Sequence, residues 1–140
     1  MPNFIVKTHR KNVVYTGNQI YILNKGSNSG KPQKKPFTNS FVIIFQNEDD
    51  TESVYWLAYS LWKSKFWHQS LCGSVIPFLR LTDFKKNFNP KLSEMILNFE
   101  LHQKQINTLR LLEEKEQNFQ KNLILINELR RSILHNYYKF

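Results

Sequence analysis

The side chains able to do covalent or metal chemistry are few in this chain, and their spacing does not bring them together. Four histidines, His9, His68, His102 and His135, and one cysteine, Cys72, are spread over 140 residues without the short intervals that a zinc site uses. His102 and His135 fall in the polar C-terminal tail. His68 follows Trp67 at a helix end, where a cationic imidazole favours the helix dipole. Cys72 beside Gly73 has no base at a recognisable spacing, so a buried structural thiol explains it better than a nucleophile. Glu48, Asp49, Asp50 and Glu52 offer oxygen ligands for a divalent ion, but no lysine follows at a nuclease-like interval. An acidic turn leading into a helix N-terminus accounts for them. Gly26-Ser27-Asn28-Ser29-Gly30-Lys31 is one residue short of a phosphate loop and has Pro32 where a magnesium-binding Ser or Thr belongs. These features argue against an enzyme and call for no cofactor and no metal. A catalytic site assembled around His68, Cys72 or Asp83 is the weakest functional expectation.

Binding is better supported than catalysis. With 20 Lys+Arg against 11 Asp+Glu, a formal net charge of +9 and a pI near 9.7, the chain suits a polyanionic partner. The excess is uneven. Residues 1–47 carry Lys7, Arg10, Lys11, Lys25, Lys31, Lys34 and Lys35 and no acid, whereas residues 91–140 set eight basic residues against six Glu. The loop over residues 24–35 is rich in Asn, Ser, Gly and Lys. Its lysines attract phosphates, its glycines let backbone approach closely, and its amides and hydroxyls can donate to phosphates or base edges. A solvated surface loop is the plainer reading. The aromatic run from Tyr55 to Trp67 could stack on single-stranded bases, but the shared period of Val54, Leu57, Leu61 and Trp62 fits a helix face in the core, with Trp56 off that face.

All four glycines and all five prolines precede residue 91, so a compact domain over residues 1–90 and a helical arm over residues 91–140 are expected, with the boundary at 87–92. The expected fold is α+β. Short strands are read at 4–6, 13–15, 20–23 and 41–45, then a helix capped by Thr51 and running to about Trp67. A break at 72–74, an extended segment over 75–81 and one helical turn from Thr82 or Asp83 through Lys86 follow. From Ser93 the pattern is helical. A three–four spacing runs through Leu109, Leu112, Glu116, Phe119, Leu123, Ile126, Arg130, Ile133 and Tyr137, apolar except at Glu116 and Arg130, which is a coiled-coil seam. The arm is one long helix or a hairpin turning at 113–118. Either way its apolar stripe needs a partner. The 41% apolar content with 11 Phe, 6 Tyr and 3 Trp excludes a disordered chain. No stretch is long and apolar enough to span a membrane, and no secretory signal opens the chain. A cytoplasmic protein that engages no membrane is expected.

The order of these elements resembles half of the specificity subunit of type I restriction-modification systems. Val54-Tyr55-Trp56-Leu57-Ala58-Tyr59-Ser60-Leu61 looks like the helix near the end of that family's target recognition domain. Gly73-Ser74-Val75-Ile76-Pro77-Phe78-Leu79-Arg80-Leu81-Thr82-Asp83-Phe84-Lys85-Lys86 is similar to its glycine, short strand and Asp-Leu-Lys step. Glu128-Leu129-Arg130-Arg131-Ser132-Ile133-Leu134-His135 resembles the close of its spacer helix, with Phe140 where an aromatic often follows. The chain departs from the family at Asn89-Pro90-Lys91-Leu92-Ser93-Glu94, which keeps one Pro, the Leu and the Glu of a longer motif. It also has a short recognition domain and no second copy of domain and helix. The chain is similar, too, to a small uncharacterised bacterial family.

The first resemblance implies a recognition module for duplex DNA that serves methyltransferase or restriction subunits. Lys25, Lys31, Lys34 and Lys35 would then position phosphates, and Arg80 with the polar loop residues would contact bases. Arg80 has an alternative partner in Asp83. Leu109, Leu112, Phe119, Leu123, Ile126 and Ile133 would pair the helix with a second copy or with a partner subunit. A diverged relative, or an inhibitor of such a system, would share these features. The rival class is a non-enzymatic protein-interaction adaptor that binds no nucleic acid.

Overall fold

The computed structural model describes residues 4–138, so Phe140 of the specificity-subunit resemblance lies outside the described residues. The fold is α+β. Four strands, β1 (Phe4–Thr8), β2 (Asn18–Leu23), β3 (Pro32–Gln33) and β4 (Ser40–Phe45), form one antiparallel sheet in the order β1-β4-β2-β3. Directly opposed residues share a face. Ile20 lies opposite Ile43 and Ile22 opposite Phe41, and Val6 lies opposite Ile43 from the other side. These side chains and Phe45 turn one face of the sheet into the floor of the main core. The other face holds Tyr21 and Val42, both buried. Hence β2 and β4 read as nearly continuous apolar runs: they are inner strands covered on both sides. Pro32, which has no N–H to donate, sits on the edge strand, where none is required.

The strand expected at 13–15 is a loop. Asn12 takes a left-handed φ of 64° and Val13 N–H donates to Arg10 C=O, which turns the chain back. Tyr15 then packs beside His9, and His9 lies edge-on to Tyr21 at 5.1 Å between centroids. Of the 13–15 run only Tyr15 turns inward, onto His9, while Val13 and Val14 stay exposed.

The helix α1 (Glu48–Lys63) begins earlier than expected. Asn47, not Thr51, is the N-cap: its side-chain oxygen accepts from Asp49 N–H at 3.0 Å. Glu48, Asp49 and Asp50 occupy the first turn, where the helix dipole favours them. The helix stops at Lys63, four residues short of Trp67. Lys65 takes a left-handed φ of 61°, and a 3-10 turn (Phe66–Ser70) swings Trp67 back into the core. There Trp67 stacks on Phe84 at 5.1 Å, and Phe84 stacks on Phe88 at 4.9 Å.

Phe84 and Phe88 belong to α2 (Leu81–Leu97), which runs straight through the stretch 87–92 expected as a boundary. Its N-cap is Arg80, without a side-chain capping bond, and not Thr82 or Asp83. Ser93 caps nothing; its hydroxyl donates to Asn89 C=O one turn back. A proline inside a helix costs about 3 kcal/mol. Phe84, Phe88, Leu92 and Met95 are all buried along one face of α2, at about 1.5–3 kcal/mol each. Tertiary burial therefore outweighs Pro90. The chain breaks at Asn98 instead, whose N–H closes onto Glu94 C=O and Met95 C=O.

The segment expected as extended, 75–81, is only partly so. Residues 74–76 bend, and Phe78 bridges to both Cys72 and Lys25. The last helix, α3 (Phe99–Tyr138), is continuous over 40 residues, so no hairpin forms at 113–118. At 1.5 Å per residue it is about 60 Å long. The chain divides into two compact units, Met1–Phe99 and Glu100–Phe140. Among the described residues no helix is long and apolar enough to cross a membrane.

Candidate nucleic-acid interface

On α1 the residues Val54, Leu57, Ala58 and Leu61 face the core. Tyr55, Tyr59 and Trp62, at spacings of four and three, share a different stripe and are each partly exposed. Their rings form a ladder through Trp56, with centroid separations of 5.6 Å (Tyr55–Trp56), 5.1 Å (Trp56–Tyr59) and 5.8 Å (Tyr59–Trp62). Trp56 itself is buried, and its indole N–H donates to Glu52 at 3.0 Å. It was expected off the core face; its burial comes from these flanking rings.

Lysines lie along this stripe. Lys31 Nζ stands 5.0 Å from the Trp62 ring and Lys34 Nζ 5.0 Å from the Tyr55 ring, while Lys63 Nζ lies 5.1 Å from Trp62 and 5.9 Å from Tyr59. The match is one of pitch. Lys31 and Lys34 flank β3, and three residues of extended chain rise about 10 Å. Tyr55 to Trp62 spans seven helical residues, also about 10 Å. An edge strand alongside α1 thus sets one lysine over each end of the aromatic stripe. A cation over an exposed ring gains only about 0.5–1 kcal/mol, so each ammonium keeps donors for an anion.

The two ends differ. Lys34 and Tyr55 line a cleft of about 200 Å³ together with Asn18, Gln19, Glu48, Thr51 and Glu52. The two carboxylates oppose a phosphate at that end. The Lys31–Lys63 end around Trp62 is where negative charge is best received.

The loop before Lys31 is built, not loose. Ser29 is buried, its hydroxyl donating to Gly26 C=O at 2.7 Å, and Gly30 N–H donates to Leu23 C=O at 2.6 Å. Gly30 has φ +96°, and a Cβ there would come within 2.1 Å of Trp67 Cδ1. Its lack of a side chain serves packing against Trp67, not approach of a phosphate. Gly26, at φ +93°, faces open space.

The other expected contacts fall elsewhere. Lys25 and Arg80 are both exposed and are joined through backbone: Gly26 N–H donates to Pro77 C=O, Leu79 N–H to Asn24 C=O, and Lys25 pairs with Phe78. Arg80 makes no ion pair with Asp83 among the described residues. Lys35 is exposed and no ring contact holds it among the described residues. Lys7 lies 4.9 Å over Tyr15, on β1 at the opposite edge of the sheet from β3. Lys7 thus lies at the sheet edge opposite Lys31 and Lys34, while Lys25 pairs with the 77–79 segment, so the basic residues of the first 47 positions form no single track.

Two of the groups weighed for chemistry, His9 and Cys72, make structural contacts, while His68 is exposed. His9 is buried, with Nδ1 3.3 Å from the Tyr15 hydroxyl. The Tyr21 hydroxyl donates to Gln19 Oε1 at 2.6 Å, and burial, with a smaller contribution from Tyr15, raises its pKa above the ordinary 10.0. The Cys72 thiol is half-buried and donates weakly to Ser70 C=O at 3.8 Å. Among the described residues no three His, Cys, Asp or Glu side chains gather to hold a metal ion.

The aromatic–lysine stripe was only half visible in sequence. The four–three spacing of Tyr55, Tyr59 and Trp62, offset from Val54, Leu57 and Leu61, signals a second face on α1. That β3 lies along it is a tertiary fact that no local pattern carries.

This is a small α+β domain, its helices on one face of an antiparallel sheet, followed by a long helix. The chain belongs to a family of unknown function (DUF6943), which matches residues 6–136, in keeping with its likeness to an uncharacterised family. No curated protein and no solved structure matches it.

Proposed function

We propose that the protein is a DNA-binding recognition module, acting as half of a specificity subunit of the restriction-modification kind and working by binding, not catalysis. The observation that carries the DNA reading is the stripe on α1, where Lys31, Lys34 and Lys63 stand over Tyr55, Tyr59 and Trp62. Lysines supply the phosphate attraction that dominates affinity for nucleic acid. Part-exposed rings between them offer apolar and stacking contact to sugars or bases. Lys25 and Arg80 supply a second basic pair on the 24–26 and 77–79 backbone. The link to methyltransferase or restriction subunits rests on the resemblance of residues 54–140 alone.

The test is fluorescence anisotropy of labelled duplex and single strands against salt. Three lysine–phosphate contacts give a log–log slope of about −2.7, or about 40-fold weaker binding between about 50 and 200 mM salt. A flat response contradicts the proposal.

A second reading, a protein-interaction adaptor, is favoured by one observation: the basic residues of the first 47 positions are spread over β1, the 24–26 segment and β3 and do not form one track. Under that reading neither duplex nor single strand binds at low salt. The protein then co-purifies from its native host with a protein partner other than a methyltransferase or nuclease.

A further inference from the structure

Residues of α3 beyond its first turns carry an apolar stripe that the helix cannot cover by itself. Leu112, Phe119, Leu123, Ile126, Ile133 and Tyr137 are between 50% and 77% exposed. They fall at the alternating intervals of three and four that form a two-helix seam. The seam is interrupted twice, by Glu116 and by Arg130, and these stand seven residues to either side of Leu123. Glu116 accepts a hydrogen bond from Gln120, and Arg130 donates to Asn127 at 3.1 Å. Among the described residues neither makes an ion pair.

The symmetry of those two charges selects an occupant and an orientation. A second copy in parallel register would oppose Glu116 to Glu116 and Arg130 to Arg130 within the seam, two like-charge layers. A second copy turned by a two-fold axis through Leu123 brings Arg130 of one helix level with Glu116 of the other, about 10 Å from the axis on each side. Each interruption then becomes an oppositely charged pair, made twice by symmetry. At about 90 Å² of apolar surface per large side chain, the seam with flanking Leu129 and Leu134 offers about 700 Å² per helix, close to the roughly 800 Å² per partner of a stable interface. Leu129 and Leu134 also join Ile126, Arg130 and Ile133 around a shallow groove that would receive the partner helix.

We infer that α3 pairs with α3 of a second copy as an antiparallel two-helix coil centred on Leu123, with Glu116 and Arg130 setting the orientation. This does not rest on the DNA-binding proposal. It makes each dimer carry two copies of the α+β domain related by a two-fold axis.

Sedimentation equilibrium of the full chain tests it through charge exchange. The expected result is a dimer for the natural sequence, with affinity lowered at least about tenfold by Glu116→Arg or by Arg130→Glu alone, and restored to within about threefold by both together. A parallel dimer would not respond this way, because each exchange swaps one like-charge layer for another. As a second measurement in a Cys72→Ser background, mixing Glu116→Cys and Arg130→Cys proteins should give the mixed disulfide in preference to either homodisulfide. A monomer at about 100 µM, unchanged mass in Leu123→Asp, single exchanges without effect, failure of the double exchange to restore, or preferred homodisulfides would each overturn the inference. All these positions are exposed on α3, and circular dichroism checks that helicity is kept.

Discussion

Gly30 and Gly26 stand four residues apart in one loop with nearly equal backbone angles, φ +96° and +93°, which makes them a matched pair for a stability experiment. Replacing either by Ala forces an L-residue into a left-handed conformation, at about 1–2 kcal/mol. At Gly26 nothing lies within 4 Å of the new Cβ, so the cost ends there. At Gly30 the Cβ would sit 2.1 Å from Trp67 Cδ1, and Trp67 is 1% exposed and stacked on Phe84. The ring has nowhere to go, and overpacking of this kind adds about 1–3 kcal/mol. Gly30→Ala should therefore cost about 2–5 kcal/mol, a large share of the roughly 5–15 kcal/mol that holds a domain together. The assay is urea unfolding followed by tryptophan fluorescence. With a slope of about 2 kcal/mol per molar urea, the midpoint should fall by about 1–2.5 M for Gly30→Ala and by about 0.5–1 M for Gly26→Ala. Equal shifts would refute the reasoning that Gly30 exists to receive Trp67, and would reopen the loop glycines as a ligand cradle.

Three further outcomes are expected. Tyr21 is held neutral by burial, its pKa raised above 10.0. The unfolded chain loses that proton first, so stability is full below about pH 10 and declines as pH rises through the folded value. Tyr21→Phe should flatten that alkaline loss in chemical denaturation between about pH 9 and 11. Asn47→Ala removes the side-chain acceptor for Asp49 N–H and should cost about 1 kcal/mol, while Thr51→Ala at the expected cap should cost less than about 0.5 kcal/mol; both are read by urea midpoints. Lys34→Ala with Lys35→Ala should weaken DNA binding alike across sequences, as a phosphate contact does. Because Glu48 and Glu52 share the Lys34 cleft, the loss should be smaller than for Lys31→Ala with Lys63→Ala in the same anisotropy assay.

What the sequence showed and what it hid divides along physical lines. Strands β2 and β4 were legible because their apolar runs are dense and bounded by turn residues. The long helix was legible because its three–four spacing continues over many turns. Residues 13–15 misled, since a short β-branched run looks the same whether it pairs in a sheet or lies in an exposed loop. The Ser93 start misled because Pro90 is a strong local breaker, while the burial of Phe84, Phe88, Leu92 and Met95 that overrides it exists only in the folded chain. The same limit applies to the site. Lys31 and Lys34 could be chosen for their charge, and Tyr59 and Trp62 for their type, but their meeting depends on an edge strand running beside α1 at matching pitch. Lys63 closes α1, where its charge favours the helix dipole whether or not a ligand is present, so its type and position alone do not mark it as part of the stripe.

The central claim is that the lysines of the α1 stripe hold nucleic-acid phosphate. Its most direct measurement is the salt dependence of duplex and single-strand binding by Lys31→Ala/Lys34→Ala/Lys63→Ala beside the natural sequence. The account predicts a log–log slope shallower by about 2.7 and weaker binding at about 50 mM salt. Equal slopes and equal low-salt affinities for the two proteins would contradict it.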